Sequence, residues 1–152
     1  MSAAHERAML GIAADLLEQG RILHGVSMLL TGAGVFIVAA ASFVLTGGTD
    51  TAPRSWTVLL MFSVGLGAGQ TVLALRTGLD AALFRRLAGG LDLSAFDSGM
   101  TALGLLPAHK AGRPALARVA GAKRLLVWQA AALAAQAVCF GGAAILPSSP
   151  GI

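Results

Sequence analysis

From Trp56 to Leu75 the chain reads WTVLLMFSVGLGAGQTVLAL, twenty consecutive residues without a formal charge, closed by Arg76. At about 1.5 Å of rise per residue, twenty helical residues cover the roughly 30 Å hydrocarbon core of a bilayer. Inside that core each backbone amide must find its partner within the chain, so an uncharged run of this length is a helix. Two more runs meet the same condition, Ile22 to Leu45 and Leu125 to Leu146. The chain is therefore expected to be an all-α integral membrane protein with three transmembrane helices, at about 22–45, 56–75 and 125–146, forming a single membrane domain over residues 1–152. Composition agrees: 56% of residues are hydrophobic and 12% charged, against about a quarter charged in soluble domains.

Arg21 followed by an apolar core and Ala39-Ala40-Ala41 has the look of a secretory leader. The apolar run continues through Phe43, Val44 and Leu45, and the residues before Arg21 carry Glu6, Asp15 and Glu18, unlike a basic leader segment. A retained span is the better reading.

The connections have their own patterns. Residues 1–20 are expected to form an amphipathic helix, with Met9, Ile12, Ala13, Leu16 and Leu17 on its apolar face, Ser2 as N-cap and Gly20 as its stop. Such a helix lies at the membrane interface or leans on the rest of the protein. Residues 46–55, with the glycine pair Gly47-Gly48 and with Pro53, make a short turn that sets the first two spans antiparallel. After Leu75 the periodicity continues through Leu79, Leu83, Phe84 and Leu87 to a break at Gly89-Gly90. A helix opened by a Ser94 to Asp97 capping box and carrying Phe96, Met100 and Leu103 is expected next. Pro114 then begins the helix that becomes the third span.

Charge sets the expected orientation. Eight of the eleven Lys and Arg residues fall between Arg76 and Arg124, opposed only by Asp80, Asp92 and Asp97. Basic loops are retained on the cytoplasmic side, so segment 76–124 is expected to be a basic cytoplasmic helical hairpin, with the N-terminus cytoplasmic and the C-terminus extracytoplasmic. Nine Arg against two Lys, with abundant Ala and Gly, suggests a bacterial inner membrane. The basic patch Lys110, Arg113, Arg118, Lys123 and Arg124 is placed to meet anionic lipid headgroups. Nucleic acid is not expected as a partner, because no aromatic residues interleave with these cations and no groove-reading motif occurs.

The spans contain no Asp, Glu, Lys or Arg, the residues that mark proton relays and ion paths in membranes. The glycine-rich second span is similar to the close-packing helices of rotary ATPase proteolipids, yet no span has the ion-binding carboxylate of that family. Gly65 and Gly69 form a GxxxG pair that allows close approach of another helix, and Gln70, Gln129 and Gln136 supply amides for bonds between helices. His5, His24 and His109 are not at metal-ligand spacing, Cys139 is a lone small hydrophobe, and no nucleophile, P-loop or dinucleotide motif is present. These residues imply no catalytic group, no metal and no cofactor. They point to a non-enzymatic accessory or interaction subunit, held by a membrane protein partner or by further copies of itself. The alternative is a homo-oligomeric channel or transporter subunit with the three glutamines facing inward.

Overall fold

The computed structural model describes residues 3–45, 55–104, 107, 109 and 111–146, without the side chains of 3, 44 and 45. Five α-helices occupy these residues: α1 (Ala3–Glu18), α2 (Gly20–Leu45), α3 (Ser55–Ala88), α4 (Leu93–Ala102) and α5 (Ala115–Ile145). Three helical stretches are long and apolar enough to cross a bilayer, Ala4–Phe43, Ser55–Ala88 and Ala115–Ile145, and the chain is read as a membrane protein on that basis. The expected turn at 46–55 and the expected cap at Ser2 lie outside the described residues, except for Ser55, which opens α3.

Gly20 does not stop a helix. Only Gln19 separates α1 from α2, and Gly20 is the first residue of α2. The chain forms two compact units, residues 21–74 with 128–152, and residues 1–20 with 75–127. Both α3 and α5 contribute a segment to each.

In the unit built from 21–74 and 128–152, neighbouring residues reveal the directions of the helices. A side chain placed at Gly34 would meet Val64 and Phe140, one at Gly67 would meet Thr31, and one at Gly142 would meet Leu59. Rising numbers on α2 thus oppose falling numbers on α3, so α3 is antiparallel to α2 and α5. The buried positions have a seven-residue period: Ser27 and Gly34 on α2, Leu60 and Gly67 with Ser63 and Gln70 on α3, and Gln129, Gln136 and Ala143 on α5. A seven-residue repeat keeps one stripe inward only when helices wind around each other with a left-handed twist. Most stripe members are small or polar, and large apolar side chains such as Leu29, Phe36 and Phe62 are exposed. That is the inverse of a soluble core, and it suits a solvent of lipid chains.

The unit built from 1–20 and 75–127 has an apolar core of the familiar kind, with Leu10, Ala13, Ala14 and Leu17 of α1 packed among Ala81, Phe84, Leu87, Ala115 and Ala122. The inward face of α1 is rotated from the expected one: Leu10 and Ala14 are buried while Ile12 and Leu16 are exposed. Glu18 also pairs with Arg85 of α3, so α1 leans on the protein. Helix α3 runs on past Arg76 and ends at a Schellman turn, in which the Leu91 amide donates to the Arg86 carbonyl and the Gly90 amide to Leu87. Gly90 has φ +101°, which only glycine accepts without strain.

The start of α4 corrects the expected capping box. Asp92, not Ser94, is the N-cap: its carboxylate accepts from the Ala95 amide and from the Ser94 hydroxyl. Asp97 is turned away to other partners. Leu103 is the C-cap of this helix and is exposed, so of the three expected apolar residues only Phe96 and Met100 stay partly buried, beside Leu93 and the buried Asp97. The Ser94 hydroxyl and the Ala95 amide hold the Asp92 carboxyl below its ordinary value of 3.8. A depressed carboxyl contributes stability that is whole above 3.8 and is lost as pH falls through the lower folded value. Acidification below pH 3.8 should therefore fray α4 from its N-terminus, seen as faster amide exchange at Ala95 and Phe96. An Asp92→Asn variant, which caps without titrating, should lack that acid step.

Candidate functional site

Helix α3 presents two faces to the two outcomes a membrane helix can have. An α-helix turns about 100° per residue, so positions two apart lie about 200° apart, on opposite sides. Gly67 is on the inner side, where a side chain would collide with Thr31 Oγ1 at 1.9 Å and Gln136 Nε2 at 2.9 Å. The bare glycine lets these two groups meet across the helix surface.

Gln136 is the hub of that inner face. The Ser27 hydroxyl donates to its Oε1 at 2.6 Å, and its Nε2 donates to Thr31 Oγ1 at 2.9 Å and to the Ser27 carbonyl at 3.2 Å. Thr31 Oγ1 in turn donates to the Ser27 carbonyl at 2.8 Å, and the Ser63 hydroxyl donates to the Gln136 carbonyl at 3.4 Å. One amide thereby ties α2 to α5, and the adjoining hydroxyl adds α3. The antiparallel register that sets 63 beside 136 brings Gln70 level with Gln129. Both are fully buried, and the Gln70 amide finds no hydrogen-bond partner among the described residues.

Gly65 and Gly69 lie on the outer side. Nothing stands within 4 Å of a side chain built at either position. They form the floor of an open apolar groove of about 830 Å³, walled by Val58, Met61, Phe62 and Leu73 of α3 and by Ala132 of α5. Its lining runs from Thr57 to Leu73, about 24 Å along the helix axis. The GxxxG pair therefore faces outward, and the glycine used within the bundle is Gly67. The signal for Gly67 was its place between the two, seven residues from Leu60 on the buried stripe.

The basic patch divides in the same way. Arg113, Lys123 and Arg124 are exposed, and Lys110 lies outside the described residues. Arg118 is engaged: its Nη2 donates to both carboxylate oxygens of Asp97 at 2.8 Å, and its Nε donates to the Arg113 carbonyl at 3.1 Å. The Gly112 amide also donates to Asp97 at 2.7 Å, and the Arg118 guanidinium lies 5.9 Å from the centre of the Phe96 ring. Asp97 and Arg118 thus clamp α4 to the opening of α5. Sequence spacing shows nothing of this pair, whose members are separated by twenty-one positions.

Among the described residues no three His, Cys, Asp or Glu side chains gather into a cluster able to hold a metal ion. Cys139 is a free, half-buried thiol. Comparison of the chain with protein-family models, with curated proteins and with solved structures gave no match in any of the three.

Proposed function

We propose that this chain is a non-enzymatic interaction subunit of a membrane assembly, and that the outer groove of α3 seats a transmembrane helix of a partner protein. The observation that carries the proposal is the division of the glycines, with Gly67 packed inside and Gly65 and Gly69 bare on an open face. Small residues let helix backbones approach, and packing contacts drive association where lipid removes the hydrophobic contrast. A groove of about 830 Å³ exceeds what a glycine-on-glycine contact fills, so the occupant brings large side chains of its own. A second copy facing through the same groove would set one depression against another.

A homo-oligomeric channel lined by Gln70, Gln129 and Gln136 needs those amides on an outer surface. All three are fully buried within one copy. In this reading the concentration of Lys and Arg in 76–124 supports a cytoplasmic position for that segment and the N-terminus, and the excess of Arg over Lys with abundant Ala and Gly supports a bacterial inner membrane.

Gly69→Leu tests the proposal, because Gly69 lines the groove and a Cβ there meets nothing within 4 Å. Mild extraction followed by native mass spectrometry should show one second polypeptide in fixed ratio with the wild type, and at least tenfold less of it with Gly69→Leu. Unfolding of the variant should match the wild type. Equal recovery of the companion with both proteins would overturn the reading.

A further inference from the structure

Within the unit built from 1–20 and 75–127 lies a second cavity, of about 530 Å³, with a character unlike the groove. Its floor is apolar, made by Phe84, Phe96, Met100 and Leu125 among others, while Arg76, Asp80, Arg113 and Arg118 stand around it. Two of the three cations already face a carboxylate. Arg118 is held by Asp97, and Asp80, one helical turn after Arg76, lines the cavity beside it. Arg113 has its backbone carbonyl engaged by Arg118, but its guanidinium forms no ion pair among the described residues. The cavity therefore carries one uncompensated positive charge above an apolar floor. Arg113 also stands just before the first turn of α5, the positive end of a 31-residue helix.

We propose that this cavity binds one monoanionic phospholipid, its phosphodiester at Arg113 and part of an acyl chain over Phe84, Phe96 and Leu125. Charge complementarity selects the occupant: one net formal positive charge matches a single phosphodiester, and a zwitterionic headgroup brings the same phosphodiester together with an ammonium that returns a positive charge to a site already lined by three arginines. The chain is a membrane protein, so a ligand with an apolar tail reaches such a site from the bilayer. Guanidinium groups suit phosphate oxygens because their N–H donors form a planar fork. The site is independent of whatever fills the groove of α3.

The test uses the intact protein in detergent, titrated with phosphatidylglycerol, phosphatidylcholine and phosphatidylethanolamine of identical acyl chains and read by native mass spectrometry. Phosphatidylglycerol should give a single-lipid adduct at concentrations where the two zwitterionic lipids give none. Arg113→Gln should weaken that adduct about fivefold, whereas Lys123→Gln, which removes an exposed cation that does not line the cavity, should leave it unchanged. Gly121 lines the cavity and a Cβ there meets nothing within 4 Å, so Gly121→Leu is expected to obstruct the site and abolish the adduct with the protein still folded. Millimolar inorganic phosphate should not displace the lipid. Equal binding of all three lipids, equal loss from Lys123→Gln and Arg113→Gln, a full adduct on folded Gly121→Leu, or displacement by inorganic phosphate would each overturn the proposal.

Discussion

Asp97→Ala is expected to destabilise the protein by about 3–5 kcal/mol, the range found when one partner of a buried ion pair is removed. The side chains of Arg118 and Asp97 are 14% and 8% exposed, so water cannot replace the lost carboxylate. The deletion also leaves the Gly112 amide without its acceptor and frees α4 from α5. Two readouts separate this from a general weakening. Limited proteolysis should cut the 103–113 connection of Asp97→Ala much faster than that of the wild type. The double variant Asp97→Leu with Arg118→Met should recover most of the loss, because an apolar pair carries no desolvation cost. If Asp97→Ala unfolds like the wild type, the pair is a surface contact of little weight.

The second large effect belongs to Gly67. Gly67→Ala places a methyl 1.9 Å from Thr31 Oγ1, so Thr31 must rotate and surrender both its bond to the Ser27 carbonyl and the one it accepts from Gln136. Overpacking of this kind costs about 1–3 kcal/mol, and the one interhelical bond lost, from Gln136 to Thr31, adds about 0.6 kcal/mol, so a loss of roughly 1.5–3.5 kcal/mol is expected. Gly65→Ala and Gly69→Ala meet nothing and should be neutral or slightly stabilising through helix propensity. Unfolding of the three alanine variants in graded sodium dodecyl sulfate measures the contrast. Equal loss at all three positions would mean that the two faces of α3 are not distinct.

The three spans were legible in the sequence because a bilayer leaves one solution for a long uncharged run. The continuation of α3 to Ala88 was legible too, since Phe84 and Leu87 extend the pattern past the first charges. Helix faces were harder to read. On α1 the apolar residues cover more than half the circumference, and only contact with Ala81, Phe84 and Leu87 decides that Leu10 and Ala14 face inward in place of Ile12 and Leu16. The glycine cluster 65–69 reads as one feature in one dimension and divides into two faces in three. Asp97 was assigned to a cap because local pattern offers only local partners; its actual partner, Arg118, lies beyond a glycine-bearing loop. Ser94 followed the capping pattern, but Asp92, two residues earlier, reaches the Ala95 amide first.

In the proposed assembly the outer groove of α3 is covered by a helix of another protein while the remaining outer faces meet lipid. Photo-crosslinking residues introduced singly at Phe62, Gly69 and Leu73 in the groove, and at Leu29 and Phe36 on the exposed face of α2, test it in native membranes. One protein adduct of constant mass is expected at the three groove positions, with a mass other than that of a second copy, and lipid adducts alone at Leu29 and Phe36. Lipid adducts alone at the groove positions, or a dimer of this chain there, would contradict it.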